Sequence, residues 1–329
     1  MSIDSSEIHP ELRNAGVLIR LLLSSFSERK LRMANAAIQT LRGKCRRPLK
    51  YEQIFLTRED KSLLRLCVYS PQMPRQNVPG LLWLHGGGYA LGTPEQSERM
   101  IERFVNSSGC VVVSPDYRLS IDAPYPAALE DSYTALLWLK NNGSAYGMRD
   151  DQLMVGGESS GGGLAVAVAL YARDKKEVAI AFQMPLYPML DDRMTTASAT
   201  DNDAPVWNSK SNEIGWRLYL GDWFGQASVP EYAAPARCRD LTGLPPACSF
   251  VGSIEPFRDE TIQYFERLST AGIPVHYKVF DGCFHGFDIV SPKTKVAMEA
   301  MDFLLECFRY ATEHCFAAQP AEQIISMGT

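Results

Sequence analysis

The chain has 329 residues, 46% of them hydrophobic and 22% charged, with a net charge of −5. That length admits one large α/β domain or two smaller ones, and that composition supports a sizeable core. The acidic balance argues against a nucleic-acid surface, since Lys44, Arg46 and Arg47 form only a local basic cluster. Eight cysteines are scattered singly with no C-x-x-C pair, so neither a zinc nor a thioredoxin-type site is indicated. Reduced thiols in a cytosol are the simpler reading. The opening residues, MSIDSSEIHPELRNAG, lack the positive start and apolar core of a signal peptide. The longest apolar run, 164–172, is about half a membrane span. A cytoplasmic protein without stable membrane insertion is expected.

In chain order, residues 11–42 read as helical, with Leu12, Ala15, Leu18, Leu22 and later Leu31, Ala34, Ile38, Leu41 recurring every three to four residues before Gly43. Residues 51–57 and 63–69 predict a hairpin around Arg58-Glu59-Asp60-Lys61. From Leu81 onward the rhythm changes. Apolar runs at 81–84, 110–114, 153–156, 179–184, 247–251 and 275–280 alternate with helix-like stretches, the pattern of a mostly parallel sheet with helices on both faces. Residues 190–235 hold Trp207, Trp216, Trp223 and Phe224 among polar residues with no strand pattern. They predict a helical insertion, a lid packing with the N-terminal helices. A connecting helix pair on the sheet's flank is the alternative.

The stretch 153–172, LMVGGESSGGGLAVAVALYA, reads as a buried strand turning sharply into a buried helix. At its corner Gly157-Glu158-Ser159-Ser160-Gly161 fits G-x-S-x-G, in which a strained serine presents its hydroxyl clear of the backbone. A dinucleotide loop is excluded because G-x-G-x-x-G is absent, and a P-loop because Gly162 stands where the lysine must be. A serine at such an elbow needs a base. Of five histidines, His285 alone lies just past the last predicted strand and after both serine and acid in chain order. The acid should follow a late strand. Glu255 is the first carboxylate after 247–252, whereas Asp259 and Glu260 read as the start of the next helix, where the dipole favours negative charge. His85-Gly86-Gly87-Gly88-Tyr89 follows an early strand, and its glycines allow backbone N–H groups to face a ligand; Ser160 N–H would complete an oxyanion hole. His85 is read as positioning its loop together with Gly86.

With these residues assembled, the chain from about residue 50 to 312 resembles the hormone-sensitive-lipase-like esterases, a branch of the α/β-hydrolase fold. Besides HGGG and the elbow, the resemblance rests on Asp116-Tyr117-Arg118-Leu119, Pro124-Tyr125-Pro126-Ala127-Ala128, Glu130-Asp131, 187–193, Leu244-Pro245-Pro246-Ala247 and His285-Gly286-Phe287. It implies a Ser159-His285-Glu255 triad, oxyanion donors Gly87, Gly88 and Ser160, no cofactor and no metal, and a small-molecule ester of short acyl chain as substrate. It further implies a catalytic domain over 46–189 and 236–315, a cap formed by 1–45 and 190–235, and a C-terminal tail, 316–329. Tyr89, Tyr187, Trp207 and Trp216 are the candidates to line the pocket. Three departures stand out. Glu158, Ser160 and Gly163 replace the usual Asp, Ala and Asn of the elbow; Glu255 replaces the usual Asp; and Ile121-Asp122 replaces Pro-Glu. An amide deacetylase or lactonase could use the same triad. A silent receptor of the gibberellin-receptor type is opposed by His285. The Trp-bearing insertion could equally serve as lid or as the contact of a homodimer.

Overall fold

The computed structural model describes residues 3–22 and 26–321, so of the expected tail 316–329 the last eight residues lie outside the described residues. Eight strands form one sheet: β1 (Lys50–Thr57), β2 (Leu63–Ser70), β3 (Val78–Leu84), β4 (Val111–Pro115), β5 (Met148–Glu158), β6 (Phe182–Leu186), β7 (Ala247–Gly252) and β8 (Val275–Phe280). Their order is β1-β2-β4-β3-β5-β6-β7-β8. β2 runs antiparallel to both neighbours and every other pairing from β4 to β8 is parallel. All six apolar runs after Leu81 are therefore strands. The run at 179–184 is displaced: Ala179 and Ile180 are half-buried, and the ladder begins at Phe182 and continues to Leu186.

The strands are apolar on both faces because both are covered. Leu82, Leu84, Val111, Val113 and Val155 pack against α4 (Ala127–Asn142) and α5 (Ser160–Lys175). The alternate residues Leu81, Trp83, Val112 and Met154 pack against α3 (Glu98–Ser108) and α9 (Lys295–His314). α5 is buried on nearly every side, which explains why its sequence lacks a polar stripe. Ahead of the sheet, the helical stretch holds α1 (Arg13–Leu22) and α2 (Glu28–Ile38). Ser27 caps the second, accepting the N–H of Lys30 at 3.3 Å. In the interval 190–235, α6 (Ser209–Leu220) is the one α-helix among the described residues, and no strand occurs there. Its Ile214 and Leu218 pack, like Ala34 and Ile38 of α2, against the buried cluster that holds Leu31 of α2.

One buried polar cluster ties the N-terminal segment to the sheet. Arg65 on β2 reaches Glu95 through both terminal nitrogens (2.5 and 3.2 Å), Asp116 through Nε (3.1 Å) and Thr93 Oγ1 (3.2 Å). Glu95 also accepts the N–H of Gly43 (2.6 Å), and Arg42 pairs with Asp116 (2.7 Å). Burial raises the Glu95 pKa, but the Arg65, Thr93 and Gly43 hydrogen bonds outweigh it and hold the carboxyl at about 2. Arg65→Met would leave the carboxylate of Glu95 in the interior without its cation, while Asp116 keeps Arg42. The expected loss of unfolding free energy is about 3–5 kcal/mol at neutral pH, read by urea denaturation. Because the Glu95 pKa is depressed, its stabilisation is present above about pH 4.5 and fades as pH falls towards 2, so the gap between variant and wild type should narrow with acid.

Candidate active site

The site forms at the carboxyl ends of β3, β5, β7 and β8. β5 ends at Glu158, and Ser159 takes φ 58° and ψ −122° before α5 begins at Ser160. A non-glycine residue in that region is strained by about 1–3 kcal/mol and persists only where its surroundings over-determine it. Here they do. A Cβ on Gly157 would sit 2.5 Å from the carbonyl oxygens of Leu84 and Gly161, and one on Gly161 only 2.1 Å from Leu84 O. Strand, turn and helix touch through bare backbone, and Ser159 is left 7% exposed at the bend.

His285 follows β8 and Glu255 follows β7. His285 Nε2 lies 2.9 Å from Ser159 Oγ, and its Nδ1 lies 2.5 Å from Glu255 Oε2. The other carboxylate oxygen of the fully buried Glu255 accepts the N–H of Gly252 at 2.8 Å. Asp259, the rival acid, is engaged elsewhere: it opens α7 (Arg258–Thr270), accepting from Ser198 N (2.8 Å) and Arg258 Nε (2.7 Å). The His285 ring is held edge-on by Tyr187 (5.0 Å between centroids) and Phe257 (5.1 Å), with Trp207 at 6.5 Å.

The glycine loop lies beside the serine. Gly87 and Gly88 have φ 131° and 58°, and their N–H groups carry no hydrogen bond among the described residues. Ser160 N–H is at the first position of α5, where helical N–H groups are unsatisfied and the dipole favours negative charge. His85 is buried beneath the loop, stacked on Tyr117 (4.2 Å), with Nδ1 2.9 Å from Gly86 O. Burial lowers its pKa, which keeps the ring neutral. Tyr117 OH donates to His85 O (2.7 Å), so the Asp-Tyr-Arg stretch supports the loop from below. Arg118 and Arg58 converge on Asp131 on the same side.

Of the four aromatic pocket candidates, Tyr187 and Trp207 meet the His285 ring. Tyr89 and Trp216 pack with Tyr219 behind the glycine loop, and Tyr89 OH donates to Met189 O at 3.1 Å. Three further residues complete the surroundings. Phe257, two positions after Glu255, was unmarked because an aromatic there reads as ordinary core. Phe26 packs tilted against Trp207, 5.8 Å between centroids, a contact that no local pattern announces. Asp288 is buried three residues after His285 and accepts from Tyr187 OH at 3.4 Å.

Two buried carboxyls flank this arrangement. Glu158 accepts from Ser97 Oγ (2.6 Å) and Trp83 Nε1 (3.0 Å), yet burial pushes it up to about 7; burial also raises Asp288 to about 6. A carboxyl raised from 4.5 to about 7 binds its proton more tightly in the folded chain. Its stabilising effect is therefore full below about pH 4.5 and lost as pH rises through 7, by roughly 3 kcal/mol. Asp288 acts in the same direction. Glu158→Gln mimics the protonated acid, its amide donating to Ser97 Oγ while the carbonyl still accepts from Trp83. Urea midpoints measured across this pH range should fall less steeply in the variant than in the wild type.

Among the described residues no group of three or more His, Cys, Asp or Glu converges as metal ligands would. The sequence profile of the α/β hydrolase fold matches residues 81–289. Esterase LipI of Mycobacterium tuberculosis is 34% identical over 221 residues, covering 67% of this chain and 69% of its own. An arylesterase of Saccharolobus solfataricus is 29% identical, over 72% and 77% of the two chains. Among solved structures, a bacterial heroin esterase superposes with a TM-score of 0.84 at 32% identity, covering 93% of this chain and 98% of that one. The elbow, the order Ser-Glu-His and the sheet now have one explanation: the chain belongs to the α/β hydrolase fold family, in its hormone-sensitive-lipase-like branch.

Proposed function

We propose that the chain is a carboxylic ester hydrolase in which Ser159 is the nucleophile, His285 the general base and Glu255 the residue that orients it. The observation that carries this reading is the unbroken relay from Ser159 Oγ through His285 to Glu255, at 2.9 and 2.5 Å. Ser159 Oγ attacks the ester carbonyl carbon while its proton passes to His285 Nε2. The carbonyl oxygen, now negative, rests on the N–H groups of Gly87, Gly88 and Ser160. The imidazolium, stabilised by Glu255, protonates the departing alkoxide and the C–O bond breaks. Water then gives a proton to His285, attacks the acyl-serine and releases the acid, and Ser159 recovers its proton.

The substrate is a small ester with a short acyl chain. Trp207 supports this: its ring would lie 2.3 Å from a Cβ on Gly88, closing the space above the glycine loop, and Phe26 backs it. Residues 1–45 and 190–235 form the cap over a catalytic domain spanning 46–189 and 236–315. The buried cluster that α2 and α6 share supports that division. Eight free cysteines, seven of them buried, suit a cytoplasmic protein.

The test is hydrolysis of p-nitrophenyl esters from acetate to palmitate. Ser159→Ala is expected to lower kcat on the order of 10⁶-fold, and Glu255→Gln by about 10⁴-fold. Asp259→Asn should cost less than about tenfold; a larger effect there than at Glu255 would reassign the acid. Turnover of amides or lactones without esters would replace the ester reading. Trp207→Ala is expected to favour octanoate over butyrate by roughly tenfold in relative kcat/KM, and an unchanged chain-length profile would remove Trp207 from the acyl site.

A further inference from the structure

Among the described residues, three of the four most exposed large hydrophobic side chains are on α1 and α2: Leu21 at 78%, Leu22 at 70% and Met33 at 65%, with Leu18 at 56% beside them. Leu18, Leu21 and Leu22 stand at i, i+3 and i+4, so they form one ridge along α1. The opposite side of that helix is the one that packs: a Cβ on Gly16 would touch Phe284, Ile8 and Pro205. Likewise α2 buries Leu31 against Ala90, Leu91 and Ile121, leaving Arg29 and Met33, four residues apart, outside. Both helices use one side for the protein and keep an apolar side free of it.

The charge of the same segment is opposite to that of the chain. Between Arg13 and Arg47 there are nine arginines and lysines against a single carboxylate, Glu28, a local balance of +8 on a chain whose total is −5. Arg20, Arg32, Arg42 and Arg47 pair with carboxylates. Arg13, Arg29, Lys44 and Arg46 are among those left to carry the excess. A protruding aliphatic ridge set in a basic field matches a surface of acidic headgroups over hydrocarbon. Nucleic acid shares only the charge, because single strands are held by aromatic stacking and the exposed apolar groups here are leucines and a methionine.

We propose that the outer face of α1 and α2 docks on bilayers containing anionic phospholipid. The leucines enter the headgroup boundary and the basic side chains lie over the lipid phosphates. The binding is peripheral, since no helix among the described residues is long and apolar enough to cross a membrane. The helix beneath this face lies close to the candidate site: Asn35 Oδ1 of α2 accepts the N–H of Gly92, and Gln39, just past the helix, donates Nε2 to Gly92 O (3.2 Å each), three residues beyond the end of the glycine loop. Docking there sets the site beside the phase in which apolar esters dissolve. Binding is read without turnover, so the proposal stands or falls separately from the hydrolase mechanism.

The full chain is sedimented with vesicles of phosphatidylglycerol in phosphatidylcholine and with vesicles of phosphatidylcholine alone, at low and high salt. Binding to the anionic vesicles, weakened by salt, is expected. The pair Arg29→Gln with Arg46→Gln should weaken it roughly 30-fold. The pair Leu21→Ser with Leu22→Ser should weaken it by at least about tenfold. Thermal melts and p-nitrophenyl acetate turnover of both pairs should match wild type, which separates lost docking from lost folding. Absence of vesicle binding, or equal binding to neutral vesicles, would overturn the proposal. So would retention by DNA that ignores the leucine pair, or a dimer in sedimentation velocity that the leucine pair dissociates and vesicles do not.

Discussion

The site depends on one close approach. β5 and the start of α5 are brought so near β3 that the carbonyl oxygens of Leu84 and His85 occupy the space of side chains at 157 and 161. Only glycine fits there, and with both neighbours pinned, the residue between them has no route except the positive φ that Ser159 adopts. The strain is modest beside the burial of a helix that hides twelve residues of its sixteen, so the fold holds it easily. The same approach sets the glycine loop next to the serine, because that loop is the continuation of the strand being touched. The proposed nucleophile and oxyanion donors are thus positioned by one packing contact between backbones.

Around that contact the polar clusters do a different task. Parallel strands deliver His285 and Glu255 from two separate loops, and neither loop is regular structure. Each is fixed by hydrogen bonds of its own: Glu255 to Gly252 N–H, and Ser253 N–H to Phe280 O across the two strands. On the other side, Arg65 and Glu95 fasten residues 42–46 to the segment that follows the glycine loop, aided by Glu98, which accepts the N–H of Arg46 at 3.0 Å. A chain entering from α1 and α2 is thereby held at a defined height over the site. The buried ions add little net stability compared with an apolar cluster, but they specify which backbone groups meet.

Much of this was legible in the sequence because it is imposed locally. A strand buried on both faces must read as a continuous apolar run, and a turn that excludes Cβ must read as glycine. Hence the strands after Leu81, the elbow and the glycine loop could be located without coordinates. The start of β6 was misplaced because Ala179 and Ile180 look like strand and only the ladder partner decides where pairing begins. The aromatic lining was least legible. Tyr187 and Trp207 reach His285 while Tyr89 and Trp216 do not, and that division is set by tertiary packing, not by any period in the chain. Phe26 and Asp288 belong to the same class.

The departures from the family's usual elbow show how such sites absorb change. Gly163 stands where the family commonly has asparagine, and a missing side chain beside the nucleophile's helix should leave a void. It does not, because the space is filled from across the loop: a Cβ on Gly163 would lie 2.4 Å from Tyr89 OH and 2.2 Å from Met189 O. The Tyr89 hydroxyl donates to that carbonyl, supplying from a distant strand's end the polar group that position 163 lacks. Tyr89 itself takes φ 61°, a strained backbone next to the strained glycines, and is held there by its stack on Tyr219 at 3.8 Å. Glycine at 163 and tyrosine at 89 are therefore one solution written at two places. Restoring asparagine at 163 alone would collide with the phenol, and shortening Tyr89 alone would open a cavity under the glycine loop. The motif is better understood as a volume shared between the helix and the loop than as a string of residues.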